Sequence, residues 1–196
     1  MFIKTIPSSG EPYGKDIVPK EEVRFKALEL TPQEKTKVII IGQDPYPDHE
    51  DAMGLAFSVP KHRPITPSLK NILKSLELSG YSHSEQGDLS SWCKNGVLLL
   101  NSSLTIDSRT RVSHEVFWRP FIQKIINSLQ NKPRVYWLMG KKAQQFKPLI
   151  TNGITYCTSH PSPIIPNNNF PNIPHFNNIN NLLDELGIVG VDWSLK

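Results

Sequence analysis

The sequence predicts a single α/β domain, residues 1–196, with a central four-stranded parallel sheet and helices on both faces. Four short apolar runs show little alternation, as is typical of strands that are buried on both faces. Segments with helical periodicity separate these runs, and strands that alternate with helices imply right-handed crossovers. A length of 196 residues with 38% hydrophobic content is sufficient for one sizeable core.

The apolar runs predict strands at 37–41, 96–100, 134–138 and 154–158. Apolar side chains recur at helical spacing in 68–76, 117–129 and 179–186, which predicts three helices there. The 17 prolines concentrate in loops between these elements and indicate stiff loops, whereas Pro120, Pro133 and Pro148 are expected to end helices. Eight asparagines lie between positions 167 and 181, and we assign them no chemistry.

Several classes of protein are disfavoured by composition. The chain has no apolar run of 18 residues, so we expect no membrane span. Residues 1–7 resemble neither a secretory signal nor a transit peptide, so we expect a cytoplasmic protein, or one in the host-cell interior if a virus encodes it. Cys93 and Cys157 are too few for a disulfide scaffold and lack the spacing of a zinc site. We expect both to be reduced core thiols.

Positive charge concentrates in the middle of the chain. Residues 61–148 contain 14 Lys and Arg against 5 Asp and Glu, a net charge of +9, whereas 1–60 and 149–196 carry −3 and −2. Such a region favours binding to phosphates of a nucleic acid, although an ordinary solvated surface is the alternative. The candidate phosphate-binding residues are Lys61, His62, Arg63, Lys70, Arg109, Arg111, Lys141 and Lys142.

Three polar loops follow predicted strands. They begin at positions 42, 101 and 160 and contain Asp44, Asn101 and His160. Ligands bind at the carboxyl edge of a parallel sheet, so an acid, an amide and an imidazole are predicted to converge on one pocket there.

The motifs in these loops resemble those of family 1 uracil-DNA glycosylases. They are Gly-Gln-Asp-Pro-Tyr at 42–46 with Gly-Leu-Ala-Phe-Ser at 54–58, Leu-Leu-Leu-Asn at 98–101 with Leu-Thr at 104–105, and His-Pro-Ser-Pro at 160–163 with His-Phe at 175–176. Their order is that of the family, and the similarity runs from about position 18 to 193, which leaves about 1–15 outside the family core. The resemblance implies a monomeric, monofunctional enzyme of base excision repair that flips uracil out of DNA and hydrolyses its N-glycosidic bond, leaving an abasic site, without cofactor or metal.

Cleavage of that bond creates positive charge on the sugar and negative charge on the base. A carboxylate at Asp44 suits the first task, because it attracts an oxocarbenium-like centre and can orient water. The resemblance implies that His160 donates a hydrogen bond to O2 of uracil, a contact that typically contributes ~10²–10³ in rate.

The resemblance implies that four further residues recognise uracil. The amide of Asn101 matches O4 and N3–H of uracil and mismatches cytosine. Phe57 would stack on the base, although plain core packing is a serious alternative for this side chain. Tyr46 would occupy the space beside C5 and exclude the methyl group of thymine, and Gln43 would complete the pocket near the water.

The resemblance implies that five residues contact DNA. Ile164 stands where the family has a leucine that fills the gap left by the flipped base, and Ile165 could share this task. Ser68 and Ser162 match serines that hold flanking phosphates. Gly140 resembles the start of a Gly-Ser loop in which Lys141 replaces the serine and adds a charge.

Two departures from the family pattern affect the expected rate. Pro47 and Met53 stand where the family often has histidines, so two polar groups near the water are lost and turnover is expected to be slower. Some viral relatives also carry Pro after Pro-Tyr and can double as polymerase-associated scaffolds, so an inhibitor protein or a polymerase subunit is a candidate partner besides single- or double-stranded uracil-containing DNA.

Two alternative functions remain open at this point. One is a weakly active or inactive DNA-binding replication-accessory protein on the same fold. The other is a metal-dependent nuclease, and its candidate metal ligands would be Asp44, Asp48, His49, Glu50 and Asp51.

Overall fold

A computed structural model describes residues 16–195. Its strands are β1 Ile17–Val18, β2 Val38–Gly42, β3 Val97–Asn101, β4 Ile106–Asp107, β5 Val135–Met139 and β6 Ile154–Thr158. Its α-helices are α1 Lys26–Leu30, α2 Pro67–Leu78, α3 Ser90–Lys94, α4 Glu115–Ser128, α5 Gly140–Gln144 and α6 His175–Glu185. Short 3₁₀ helices are formed by Glu21–Val23, Gln33–Lys35, Leu129–Asn131, Lys147–Leu149 and Phe170–Asn172. Residues 1–15, which we expected to lie outside the family core, are outside the described residues.

The predicted four-stranded parallel sheet is confirmed, with strand order β3-β2-β5-β6. Each strand lies within one residue of its predicted position, and β2, β3 and β5 are buried along their whole length. This burial on both faces explains why their sequences are continuous apolar runs. A second, antiparallel sheet of β1 and β4 was not predicted, because two residues per strand carry no detectable periodicity.

The prediction that all four strands are buried on both faces is wrong for β6. Four of its five side chains are half-buried and Cys157 is exposed, because β6 is an edge strand that, unlike the other edge strand β3, is not covered along its length by neighbouring elements. Cys157 is therefore not the core thiol that we expected. Cys93 is buried, and burial raises the pKa of its thiol to about 11.

The three predicted helices are confirmed as α2, α4 and α6, which begin one, two and four residues earlier than expected. Helix α2 begins at Pro67, after Thr66, whose side chain accepts a hydrogen bond from the Leu69 N–H at 3.4 Å. Pro120 does not end a helix but lies inside α4. Its missing N–H would have bonded to the carbonyl of Val116, and this residue is exposed, so water can satisfy that carbonyl.

The sheet positions the polar loops on one edge. Because β2 and β3 are parallel and in register, Gly42 lies opposite Asn101 at the ends of these strands. The loops after β5 and β6 begin beside each other, at Met139 and Thr158. Within residues 16–195, no helix is long and apolar enough to cross a membrane.

Candidate active site

The loops at the carboxyl edge of the sheet enclose an open cavity of about 190 Å³. It is lined by Gln43, Asp44, Tyr46, Phe57, Ser68 and His160. A smaller gap of about 20 Å³ shares Asp44, Tyr46 and Phe57 with this cavity and also contacts Asn101 and Met53. We call the two together the base pocket. The predicted convergence of the acid, the amide and the imidazole at this edge is therefore what the fold produces.

Gly42 lets Asn101 and Phe57 approach each other at the back of the base pocket. A Cβ atom at position 42 would lie 2.6 Å from Oδ1 of Asn101 and 3.2 Å from the ring of Phe57. Both distances are shorter than ordinary contacts, so a larger residue would displace the amide and the ring. The amide of Asn101 is buried and makes no hydrogen bond with residues 16–195, so its donor and its acceptor are available to a ligand.

Tyr46 holds Phe57 in an unusual backbone conformation. Phe57 has a φ of 65°, which is rare for a bulky residue, and its carbonyl oxygen accepts a hydrogen bond from the Tyr46 hydroxyl at 2.9 Å. Burial raises the pKa of Tyr46 to about 12, so the phenol keeps its proton for this bond. The Phe57 ring is only half-buried and lies 5.6 Å from the His160 ring, so it packs on the core and also lines the pocket.

Each oxygen of the Asp44 carboxylate accepts a hydrogen bond from a side chain. Gln43 donates from Nε2 to Oδ2 at 3.0 Å, and the hydroxyl of Ser113 donates to Oδ1. The Ser113 oxygen in turn accepts a bond from the Glu115 N–H at 3.2 Å, which fixes the direction of its hydroxyl. Ser113 was not predicted from the sequence, because it follows β4 and is separated from Asp44 by 69 positions.

The His160 ring is held in one orientation. Its Nδ1 accepts a hydrogen bond from the backbone N–H of Ser162 at 3.1 Å, so in the neutral imidazole the proton is on Nε2. Burial lowers the pKa of His160, whereas the charge of Asp44 opposes that shift. The side chain therefore presents a neutral N–H donor to the base pocket near neutral pH.

Two asparagines and one glycine support the loop that contains His160. Asn168 donates from Nδ2 to the carbonyl oxygens of His160 at 2.8 Å and Ser162 at 3.0 Å. Asn71 donates to the Pro161 carbonyl oxygen at 2.8 Å. Gly140 has a φ of 86°, and a Cβ atom there would lie 2.9 Å from Cβ of His160. Asn168 belongs to the asparagine run that sequence analysis left without a role.

A second cavity of about 740 Å³ adjoins the base pocket and shares Gln43 and His160 with it. The remaining candidate DNA-binding residues line it, namely Gly140, Lys141, Ser162 and Ile164, together with Ile165. Ile164 is 87% exposed and Ile165 37%, so both apolar side chains project from the surface. Lys141 is exposed, whereas Lys142 is paired with Glu115 at 2.7 Å.

The residues required by the nuclease alternative do not form a metal site. Within 16–195, no three His, Cys, Asp or Glu side chains are grouped so that they could hold an ion. Asp48 and Asp51 instead pair with Arg63 at 3.0 Å and 2.6 Å. Arg63 is therefore neutralised by the acidic loop and is a poorer phosphate ligand than the sequence suggested.

Comparison with known proteins identifies the family. A sequence model of the Uracil DNA glycosylase superfamily matches residues 29–184. The chain belongs to the uracil-DNA glycosylase superfamily. Uracil-DNA glycosylase of Coxiella burnetii (strain Dugway 5J108-111) is 43% identical over 188 residues, which cover 93% of this chain and 84% of the relative.

Solved uracil-DNA glycosylase structures share the fold. The crystal structure of mimivirus uracil-DNA glycosylase has a TM-score of 0.83 and 28% identity, and the match covers 91% of this chain and 75% of that one. A variant of the mimivirus enzyme in complex with UGI matches equally well, with a TM-score of 0.83, 28% identity and coverage of 91% and 76%. These findings confirm the family that the sequence motifs predicted and do not favour the replication-accessory alternative.

Proposed function

We propose that this chain is a monofunctional uracil-DNA glycosylase in which Asp44 and His160 stabilise the two charges of the transition state. The observation that carries this proposal is that an oriented carboxylate, Asp44, and a neutral imidazole, His160, line one cavity of about 190 Å³. The carboxylate suits the positive charge on the sugar, and the imidazole N–H suits the negative charge on the base. That volume is below the ~300–1,000 Å³ of sites for drug-sized ligands and suits a single flat base.

The chemistry follows from the charges. As the N-glycosidic bond breaks, its electron pair remains on uracil and the sugar becomes cationic at C1′. The carboxylate of Asp44 attracts this cation and accepts the proton of the water that adds to C1′, which it then passes to solvent. The uracil anion leaves and takes a proton from solvent. The Nε2–H of His160 donates to O2 of uracil, where negative charge accumulates.

Recognition of the base uses groups that are already oriented. The free amide of Asn101 pairs with O4 and N3–H of uracil, and a mispaired buried amide rejects cytosine by roughly 10⁴-fold. Phe57 stacks on the base at an angle set by the bond between its carbonyl and Tyr46. Tyr46 blocks the space beside C5, and Gln43 orients the Asp44 carboxylate as well as contacting the base.

The rest of the DNA lies over the second cavity. Ile164 enters the stack from which uracil has been flipped, because a large exposed apolar side chain next to His160 fits that position. Ser68 and Ser162 bind the flanking phosphates, and Lys141 adds a charge beside Gly140. Met53 is buried and accepts a hydrogen bond from Ser58, so it offers no polar group to the water, and turnover slower than is usual for the family follows.

We also infer the partners and the location of the protein. Uracil-containing DNA is the substrate, and a proteinaceous inhibitor is a further partner, by analogy with the mimivirus complex with UGI. We place the protein, as a monomer, in the cytoplasm or host-cell interior, where such DNA is found.

The test is release of uracil from an end-labelled oligonucleotide with one uracil, in single-stranded and duplex form, with and without EDTA. We expect abasic sites without strand breaks, and the same rate in EDTA. Asp44→Asn and His160→Leu should each lower kcat by about 10²-fold or more and leave the dissociation constant for DNA largely unchanged. Direct strand breaks that EDTA abolishes would instead support a nuclease, and full activity of either variant would refute its assigned role.

A further inference from the structure

Between β4 and α4 the chain makes a tight turn, residues 107–112, which we call the arginine turn. Oδ1 of Asp107 accepts hydrogen bonds from the N–H of Thr110 at 2.7 Å and from its hydroxyl at 2.9 Å. The N–H of Arg111 donates to the Asp107 carbonyl oxygen at 2.8 Å, and β4 itself pairs with β1. The arginine turn is therefore a stiff projection with a defined backbone.

Its two arginines are exposed and unpaired. Neither Arg109 nor Arg111 makes a side-chain hydrogen bond or an ion pair with any residue of 16–195, and Asp107 attracts Arg109 through space. Arg63 and Arg119, by contrast, have acidic partners: Arg63 pairs with two aspartates, and Arg119 pairs with Glu115 at 3.0 Å. Two guanidinium groups held in solvent without a partner are suited to bind phosphate.

The arginine turn is fixed relative to the catalytic carboxylate. Ser113, the next residue, donates its hydroxyl hydrogen to Asp44. The turn follows β4, which belongs to the two-stranded sheet, whereas the loop with Ile164 follows β6 of the main sheet. The turn and the Ile164 loop are therefore separate elements beside the base pocket.

The surface beside the arginines is also unusual. Val112, the last residue of the turn, is 58% exposed, and Val116, at the start of α4, is 88% exposed. Exposed valines beside unpaired arginines present both apolar and cationic groups, and the sugar-phosphate backbone offers an apolar sugar edge next to each charged phosphate. The surface therefore fits a DNA backbone better than it fits an acidic protein segment.

We propose that the arginine turn is an additional DNA-binding site, in which Arg109 and Arg111 bind backbone phosphates of the strand beside the flipped uracil. The inference rests on the proposed function, since it concerns the same substrate. These phosphates take no part in the glycosidic bond, so a contact with them is the same before and during its cleavage. It therefore contributes to KM and to DNA affinity but not to kcat.

The test is a double variant, Arg109→Ser with Arg111→Ser. Binding is measured by fluorescence anisotropy with a labelled uracil-containing duplex, in an Asp44→Asn background so that no turnover occurs. We expect the dissociation constant to rise about 10-fold or more, and the slope of log K against log salt concentration to fall by about two, one for each lost phosphate contact. In the otherwise native enzyme, KM should rise similarly while kcat stays within about twofold.

The matched control is Lys94→Ser with Lys132→Ser. These exposed lysines precede β3 and β5 and therefore lie at the opposite edge of the sheet, so the same loss of two charges should change neither the affinity nor the salt slope. Equal weakening in both double variants would mean a general effect of net charge and would overturn the proposal. A fall in kcat with unchanged KM would also overturn it, because the turn would then act through Ser113. A wild-type protein that binds duplex DNA but releases no uracil would refute the proposed function alone.

Discussion

The hydroxyl of Ser113 donates a hydrogen bond to Oδ1 of Asp44, and the Ser113 oxygen accepts one from the N–H of Glu115. Gln43 donates a hydrogen bond from Nε2 to the other carboxylate oxygen, Oδ2, at 3.0 Å. The carboxylate is thus held between two donors from different loops. The orientation of the Asp44 carboxylate therefore depends on Ser113, which lies between β4 and α4, as much as on Gln43 in the loop that contains Asp44.

We expect Ser113→Ala to lower kcat by about 10-fold or more. A hydrogen bond to a charged group contributes about 1.5–3 kcal/mol, and without it the carboxylate can rotate away from the sugar. KM should change little, because the variant removes no DNA contact, and Ser113→Thr should restore most of the loss. Single-turnover kinetics on a uracil-containing oligonucleotide measures the chemical step.

Ser108→Ala is the control for this prediction. Ser108 lies in the same connection and its side chain makes no hydrogen bond within the described residues, so this variant should behave like the wild type. A similar loss from both substitutions would attribute the effect to the connection as a whole. Failure of Ser113→Thr to restore kcat would also count against the hydroxyl.

Tyr46→Ala should allow release of thymine and slow the release of uracil. A methyl group alters binding in an apolar pocket by only ~1–3 kcal/mol, so thymine must be excluded sterically. The Tyr46 ring is positioned by hydrogen bonds of its hydroxyl to Phe57 at 2.9 Å and to Thr66 at 2.7 Å, and Pro45 and Pro47 flank it. The measurement is abasic-site formation in DNA with only the four normal bases.

Tyr46→Phe separates the ring from its hydroxyl. This variant keeps the steric barrier but loses both hydrogen bonds, so it should continue to reject thymine while its uracil release slows. The double variant Asp44→Asn, Tyr46→Ala excludes a contaminating activity. Should Tyr46→Ala remain active on uracil and never release thymine, another group must exclude the methyl.

Ile164→Ala should impair duplex substrates more than single strands. Flipping a base from a duplex costs a few kcal/mol of unstacking, which the exposed Ile164 side chain offsets by filling the gap, so we expect about a 10-fold loss on duplex DNA. Ratios of kcat/KM on matched duplex and single-stranded oligonucleotides give the effect. Ile165→Ala, at the less exposed neighbour, should have a smaller effect; equal losses on both substrates would make Ile164 merely structural.

The stability of the protein should fall as the pH drops from about 6.5 to about 4, partly because of His175. Burial lowers the pKa of this histidine to about 4, so between these pH values the unfolded chain binds a proton that the folded protein does not. The stabilisation is therefore complete above pH 6.5 and is lost toward pH 4, by up to about 3 kcal/mol. Urea unfolding at several pH values measures it.

A matched pair of variants isolates the contribution of His175. In His175→Gln the free energy of unfolding should depend less on pH in this window, even if the variant is less stable throughout. His62→Gln, at an exposed histidine, should retain the wild-type pH dependence. An unchanged pH profile in His175→Gln would mean that other groups cause the acid sensitivity.

Local patterns were sufficient for most of the fold. Continuous apolar runs predicted all four strands of the main sheet, because strands buried on both faces must be apolar at every position. The same rule failed for β6, where Cys157 is exposed, since a run of apolar residues does not reveal whether other elements cover both faces of an edge strand. Pro120 was misread for a similar reason: whether an interior proline is tolerated depends on the solvent exposure of the carbonyl that it leaves unpaired.

The convergence of three candidate site residues was also predicted from the chain alone, because Asp44, Asn101 and His160 each follow a strand and parallel strands deliver their carboxyl ends to one edge. Their supports were not found. Ser113, Asn168 and Gly140 act through contacts with residues distant in sequence, and a serine, an asparagine or a glycine in a loop has no pattern that distinguishes a support from a solvated turn. Composition and periodicity therefore predicted the sheet and the reactive groups, which depend on local burial and on strand direction. The orientation of the carboxylate, the tautomer of the imidazole and the unpaired state of the two turn arginines depend on side chains that meet only after the chain has folded.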